Sequence, residues 1–215
     1  LNAEGLPLSI NALVRDTLGL KAQSHEEVHA NSIARLRARI KSGGNDPLAW
    51  VDLSREYAIL GDKERSQRCM LVAIQLCSGH RWITRVAARS FTHFGEPDKA
   101  HEILCRNPNI KSDPWLIATE MAVSRKADKP TKLWNAAKRF LESNIKPIHI
   151  SELASSVATN ELISGAEKKA KGFFKQSLID PNQNSLAQAK WAERTSSSLK
   201  KLVKVPLNPN VAAYE

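Results

Sequence analysis

Apolar residues at helical spacing form a series of stretches along the chain, divided by short polar turns that contain glycine or proline. No stretch alternates apolar and polar residues over the length of a strand, so the pattern predicts no sheet. Most stretches come in pairs, and each pair predicts a helix, a tight turn and a second helix. The predicted helices are 24–42, 47–60, 63–77, 81–94, 97–106, 114–127, 130–143, 148–163, 166–179 and 183–204.

The turns recur at a nearly constant interval. Four prolines mark this interval, namely Pro47, Pro114, Pro147 and Pro181. The gap between the first two is about twice as long as each of the other gaps. Three of them follow an aspartate, a residue that caps helices well, and proline is tolerated in the first helical turn. Gly61 and Gly95 are one such interval apart, Gly165 follows after two more, and 128–130 fills the turn between them. Each interval therefore predicts one helical hairpin.

Side chains at equivalent positions of the hairpins also repeat. The first hairpin has Trp50, Leu53, Ser54, Tyr57, Gly61, Ser66, Met70 and Ala73. The same offsets hold Ala87, Ala88, Phe91, Gly95, Ala100 and Leu104 in the second hairpin, and Ala154, Val157, Ala158, Gly165, Ala170, Phe174 and Ser177 in the fourth. The third fits more loosely through Trp115, Met121, Leu133, Ala137 and Phe140. Over about 47–184 this pattern resembles the tetratricopeptide repeat. The resemblance implies an all-α, right-handed α-solenoid of about four helical hairpins with flanking helices.

The repeat also predicts how the chain is organised. A single hairpin cannot bury its apolar face, so neighbouring hairpins should stack. We expect flanking or capping helices in 1–46, repeats at 47–80, 81–113, 114–147 and 148–184, and a C-terminal helix with the start of a further repeat in 185–215. The polar run 195–198 favours a break in the last helix. Val211 to Glu215 resemble the first turn of another helix, so we expect the natural chain to be longer.

Composition and charge narrow the class of protein. The chain has 215 residues and a net charge of +10, which favours an acidic partner. No apolar run approaches the ~20 residues of a membrane helix, so no membrane partner is expected. Cys69, Cys77 and Cys105 are an odd number without a Cys-x-x-Cys pair, which argues against a disulfide framework and a zinc finger. We therefore expect a reducing, cytoplasmic location, and we predict no metal and no cofactor.

A basic groove is the leading candidate for a binding site. In proteins with tetratricopeptide repeats, the first helix of each pair lines a concave face that contacts ligands. The resemblance places five basic residues on or near this face: Arg55, Arg85, Arg89, Arg125 and Lys126. Guanidinium groups suit carboxylates and phosphates, so we expect the groove to bind an acidic segment. The alternative is that these are ordinary solvated charges.

A second basic cluster lies near the C-terminal end of the repeats. It comprises Lys168, Lys169, Lys171 and Lys175, all on the helix predicted at 166–179. The cluster is interpreted either as a solvated face or as a surface that contacts nucleic-acid phosphates. Exposed aromatic residues between the lysines would favour the second interpretation. Phe173, Phe174 and Trp191 fit core positions better, so base stacking is not predicted.

One short histidine motif is of a kind found in metal-dependent enzymes. His25 and His29 form His-Glu-Glu-Val-His, which matches the His-Glu-x-x-His pattern of zinc-dependent hydrolases. Ser24 places this motif in the first turn of a helix, where its glutamates complement the helix dipole. A third ligand is missing from the pattern, because Glu56 would have to leave its own helix to reach the histidines. We therefore predict that the chain is not an enzyme and keep a metal-dependent hydrolase as a minor alternative.

Taken together, these patterns predict a protein-interaction module with a scaffolding or regulatory role. Its partner would be a protein or peptide, an acidic segment or a neighbouring domain, bound in a partly basic groove. A module that binds nucleic acid, or is regulated by it, is the alternative that the net charge of +10 leaves open.

Overall fold

The computed structural model describes residues 24–43, 45–143, 145–200 and 202–203, and for His25 the backbone alone. Within these residues there is no strand, and ten α-helices precede a short 3-10 helix at Ser197–Leu199. The helices are α1 His25–Gly43, α2 Pro47–Ile59, α3 Lys63–Leu76, α4 Arg81–His93, α5 Pro97–Arg106, α6 Pro114–Lys126, α7 Trp134–Glu142, α8 Pro147–Ile163, α9 Glu167–Ser177 and α10 Gln183–Thr195. None of the described helices combines the length and apolar character that a membrane crossing needs.

The chain divides into two compact units, Leu1–Ala73 and Ile74–Glu215. The described part of the first unit contains α1, α2 and most of α3. Its core is built on Leu53, Tyr57 and Cys69, against which α1 packs Ile33, Leu36 and Ile40. Ser54 donates a hydrogen bond of 2.8 Å to the carbonyl oxygen of Ser66, which fastens α2 to α3 where small side chains let them approach. These small residues are the ones that the repeat pattern singled out.

The second unit contains α4 to α10, and its first helices, meaning α4, α6, α8 and α10, pack one against the next. The second helices α5, α7 and α9 lie against them, and α8 contacts α6, α7, α9 and α10. Phe91 of α4 and Phe174 of α9 are fully buried, as are the alanines of the repeat pattern, Ala87, Ala88, Ala100, Ala158 and Ala170. These repeat positions are therefore buried, whereas Trp115 and Phe140 of the more loosely fitting third hairpin are only partly buried.

Four hairpin turns share the same backbone conformation. Gly61, Gly95 and Gly165 have positive φ angles of 78°, 77° and 84°, and Asp128 takes the equivalent place with a φ of 51°. In each turn the next residue donates its N–H to a carbonyl of the preceding helix, as Glu96 does to Phe91 at 2.8 Å. Asp128 thus fills the turn that the sequence predicted without a glycine, because aspartate tolerates the left-handed region better than most residues.

The Gly95→Ala variant should unfold more readily than the wild type by about 1 kcal/mol, because alanine is strained at the positive φ of this turn. No atom lies within 4 Å of a methyl group added there, so the effect should come from the backbone alone. Gly172→Ala is the matched control, because Gly172 lies inside α9 with equally open space. The free energy of unfolding of this control should rise by up to about 1 kcal/mol, because alanine has a higher helix propensity than glycine. Urea denaturation measures both, and equal shifts would contradict this account.

Two details differ from the predicted structure, the start of α7 and the burial of Trp50. Helix α7 begins at Trp134 rather than 130, because Thr131 bonds to the buried carboxylate of Glu120 at 2.6 Å and accepts the N–H of Leu133, which keeps the preceding residues irregular. Trp50 is only partly buried. The last helix ends at Thr195, so the polar run breaks it as predicted. The predicted further turn at 211–215 lies outside the described residues.

Candidate functional site

A cleft between α1 and α2 collects three arginines in the first unit. It has a volume of about 410 Å³ and is lined by Ser32, Arg35, Leu36, Arg39, Asp52, Arg55, Glu56 and Ile59. We call it the arginine cleft. Arg55 is one of the predicted groove residues, and Arg35 and Arg39 lie one helical turn apart on α1. Arg35 and Arg39 were not among the predicted groove residues, although their spacing of four residues places them on one helix face.

The arginines of this cleft make weak contacts within the protein. Arg55 lies 4.0 Å from Asp52, and its side chain is 67% exposed. Arg39 pairs with Asp46 at 2.5 Å with its own side chain 61% exposed, and Arg35 donates to the Ser32 hydroxyl at 3.2 Å. Exposed ion pairs of this kind contribute little to stability. Their guanidinium groups can therefore turn to a carboxylate ligand at small cost.

The floor of the arginine cleft corrects one expectation about the histidine motif. Glu56 stays within α2 and its carboxylate lies 2.6 Å from Nδ1 of His29. The expectation that Glu56 would have to leave its helix was wrong, because α1 packs directly along α2 and brings His29 to it. One carboxylate oxygen of Glu56 is therefore engaged by His29 at the edge of the arginine cleft.

In the second unit, Arg85 joins three consecutive first helices. From α4, its Nε donates to the Thr119 hydroxyl of α6 at 3.0 Å, and its guanidinium contacts a Glu152 carboxylate oxygen of α8 at 2.5 Å. The Arg85 side chain is 26% exposed. It is therefore less exposed than the sequence predicted, because its charge compensates the largely buried Glu152.

The remaining groove residues fall into two groups. Arg89 and Lys126 are exposed. Arg125 is partly buried and donates to the Asn160 side-chain oxygen at 2.9 Å, and burial lowers the pKa of its guanidinium group. Arg85 and Arg125 therefore hold neighbouring helices together, whereas Arg89 and Lys126 extend into solvent.

An apolar edge runs along the same unit at the start of its first helices. Trp82, Trp115 and Ile148 are the second residues of α4, α6 and α8, so they recur once in every hairpin at a constant interval. Trp82 and Ile148 are about half exposed. The guanidinium of Arg81 lies 4.2 Å from the centre of the Trp115 ring. This edge was not predicted, although its signal was an aromatic or branched residue directly after the first residue of α4, α6 and α8.

The lysine cluster on α9 is fully on the surface. Lys168, Lys169, Lys171 and Lys175 are all exposed. Next to them, hydrogen bonds from Ser198 and Ser196 lower the pKa of the Glu167 carboxyl, which keeps one negative charge beside the lysines. Trp191 was predicted in the core and is instead 40% exposed, because α10 buries its smaller residues Ser185, Ala189 and Ala192.

Comparison with known proteins bears on the fold. No protein-family model and no curated protein sequence matches the chain. The crystal structure of MamA, a tetratricopeptide repeat protein, matches with a TM-score of 0.53 at 15% identity, over 81% of this chain and 96% of MamA. The crystal structure of YrrB, described as a TPR protein with an unusual peptide-binding site, matches with a TM-score of 0.44 at 12% identity, over 75% and 92%. With its four turns and stacked first helices, the chain has the all-α, tetratricopeptide-like helical-repeat fold that its sequence predicted.

Proposed function

We propose that the chain is a protein-interaction module that binds an acidic peptide segment carrying apolar side chains. The observation that carries this proposal is the convergence of Arg35, Arg39 and Arg55 in the arginine cleft. Guanidinium groups bind carboxylates through two parallel hydrogen bonds, and such charge-assisted bonds are stronger than neutral ones. A cleft of about 410 Å³ lies in the usual range for ligand sites, which is about 300–1,000 Å³.

The walls of the cleft favour a peptide over a small anion. Leu36 and Ile59 lie beside the arginines, and Ile59 is 50% exposed. An acidic residue flanked by an apolar one would place its carboxylate on the guanidinium groups and its neighbour on this apolar wall. In the second unit, the exposed Arg89 and the half-exposed Trp82 offer the same two kinds of contact on α4. Each unit therefore offers basic and apolar side chains of its own to an acidic segment that carries apolar residues.

The Arg35→Ala/Arg55→Ala double variant should bind an acidic peptide about tenfold or more weakly than the wild type. Each charge-assisted hydrogen bond contributes about 1.5–3 kcal/mol, and 1.4 kcal/mol corresponds to a factor of ten. Fluorescence anisotropy with a labelled peptide of glutamate, aspartate and leucine measures the affinity. Arg68→Ala/Arg106→Ala is the control, since it removes the same charge from two exposed arginines that pair within their own helices. Equal losses in both variants would indicate unspecific attraction to a basic protein.

Nucleic acid is the second candidate, and the surface of α9 and α10 favours it. The four lysines of α9 are exposed, and Trp191 offers an exposed ring that the sequence placed in the core. Phosphate contacts would make binding weaken steeply with salt, and a variant with the four lysines replaced by alanine would flatten that dependence. A flat salt dependence in the wild type would exclude this candidate.

The proposal assigns no catalytic role to the chain. The hydrolase alternative at His25 and His29 would require a water-activating metal at that motif, and a hydrolase assay with and without a chelator tests it. The cytoplasmic location, the acidic nature of the partner and the division into 1–46, 47–184 and 185–215 stay predictions.

A further inference from the structure

Three side chains of metal-binding type converge between the second and third hairpins, away from the arginine cleft and the α9 lysines. His101 and Cys105 lie four residues apart on α5, and Glu120 lies on α6. One ligand atom of each lies within 4.8 Å of the other two. Nε2 of His101 is 3.1 Å from a Glu120 carboxylate oxygen, and Sγ of Cys105 is 3.7 Å from the same nitrogen.

The carboxylate of this cluster is removed from water. The Glu120 side chain is 1% exposed, and that of His101 is 16% exposed. The second carboxylate oxygen of Glu120 accepts a hydrogen bond of 2.6 Å from Thr131. A buried carboxylate needs hydrogen-bond donors or a cation beside it, because its desolvation is costly otherwise. The other carboxylate oxygen of Glu120 faces Nε2 of His101.

We propose that His101, Cys105 and Glu120 form a zinc site. Two ligand atoms about 2.0–2.1 Å from one tetrahedral zinc ion stand about 3.3–3.4 Å apart, so the 3.1 Å between His101 and Glu120 has to widen by only a few tenths of an ångström. Sγ of Cys105 lies nearly equally far from both ring nitrogens, at 3.7 and 3.8 Å, so it must turn toward the ion. Cys105 is exposed, which leaves its χ1 angle free to change.

The mixed donor set selects the type of metal. A thiolate and an imidazole favour zinc over magnesium or calcium, which prefer oxygen ligands alone. Three protein ligands leave a fourth position open, which water or a side chain of a bound protein can fill. Thr131 holds the carboxylate in place, as the outer partners of zinc ligands usually do.

Two lysines lie close enough to affect the site. Burial and the charge of Glu120 raise the pKa of the Cys105 thiol, and the charges of Lys132 and Lys129 oppose this shift in part. Lys129 is itself paired with Asp98 at 2.5 Å, which reduces its repulsion of a bound cation. A zinc ion would link α5 of the second hairpin to α6 of the third, and through Thr131 to the segment that leads into α7. This role is independent of peptide binding in the arginine cleft.

Titration of the metal-free chain with Co²⁺, a probe for zinc sites, and competition with Zn²⁺ test the proposal. We expect one ion per chain, a thiolate charge-transfer band in the near ultraviolet, and displacement of cobalt by zinc. Cys105→Ser should abolish the band, and both Cys105→Ser and Glu120→Gln should weaken zinc binding about tenfold or more. Cys77→Ser is the matched control, because Cys77 is the other cysteine with solvent access and lies outside the cluster.

The exposure of Cys105 makes its serine variant the safer one, since no buried group is removed. Circular dichroism checks that each variant keeps its helices. Absence of saturable binding at micromolar metal overturns the proposal. It is equally overturned if the band persists in Cys105→Ser and disappears in Cys77→Ser.

Discussion

Replacement of Phe91 by alanine is expected to lower the free energy of unfolding of the second unit by about 3–5 kcal/mol. The Phe91 ring is completely buried where α4 packs on α5, and the Lys99 ammonium lies 4.7 Å from the ring centre. Alanine would leave a cavity that the surrounding alanines Ala87, Ala88 and Ala100 are too small to fill. Urea denaturation followed by circular dichroism measures the loss.

Trp82→Ala is the control for this result, since it removes a larger ring from the same helix at a position that is 46% exposed. The free energy of unfolding should fall by less than about 1 kcal/mol in this variant, because the Trp82 ring buries little apolar area on folding. A loss below about 1 kcal/mol in Phe91→Ala as well would mean that the assigned register of α4 is wrong.

Arg85→Ala is expected to lower the free energy of unfolding by about 2–3 kcal/mol, which is the second largest effect on stability expected here. It would leave the Glu152 carboxylate, on a residue that is only 8% exposed, with a hydrogen bond of 3.4 Å from Asn182. Removing one partner of a buried ion pair costs about 3–5 kcal/mol, and the partial exposure of Arg85 reduces this figure. Chemical denaturation of the purified variant gives the value.

The double variant Arg85→Ala/Glu152→Gln separates the energy of the ion pair from the cost of leaving one charged partner buried alone. Glutamine keeps the shape of Glu152 without its charge, so the double variant should recover at least half of the loss. Arg89→Ala, one turn further along α4 and exposed, should change stability by no more than about 0.5 kcal/mol. If Arg85→Ala and Arg89→Ala behave alike, Arg85 is an ordinary surface charge and belongs with the available groove residues.

The helices could be predicted from the sequence because their ends are encoded locally. Gly95 and its equivalents supply positive φ angles, and Asp46 and Asp113 accept backbone N–H bonds at the start of α2 and α6. These signals act over a few residues and do not depend on the rest of the fold. Helix α7 was misplaced where this local rule failed, because Thr131 is held by Glu120, which is 11 residues distant.

The polar contacts could not be predicted, because they join residues far apart in sequence. Arg85 and Glu152 are separated by 67 residues, His29 and Glu56 by 27, and His101 and Glu120 by 19. The repeat pattern fixes which helices are neighbours, but it does not fix which side-chain rotamers meet. The exposure of Trp191 could not be predicted for a related reason. Helical spacing leaves both flanks of a helix equally suited to burial until the packing of its neighbours selects one.

The central position of α8 has a consequence for folding cooperativity. Twelve of its 17 residues are buried, among them Ser151, Ser155, Ser156 and Thr159. Serine and threonine are weak helix formers, so this segment gains its stability from the four helices that surround it. In an ideal array each hairpin interacts with its nearest neighbours alone, and hairpins can be lost or gained at an end. The contacts of α8 are also with nearest neighbours, but its weak helix formers make it depend on all four of them, so the segment from Pro114 to Thr195 should order in a single step.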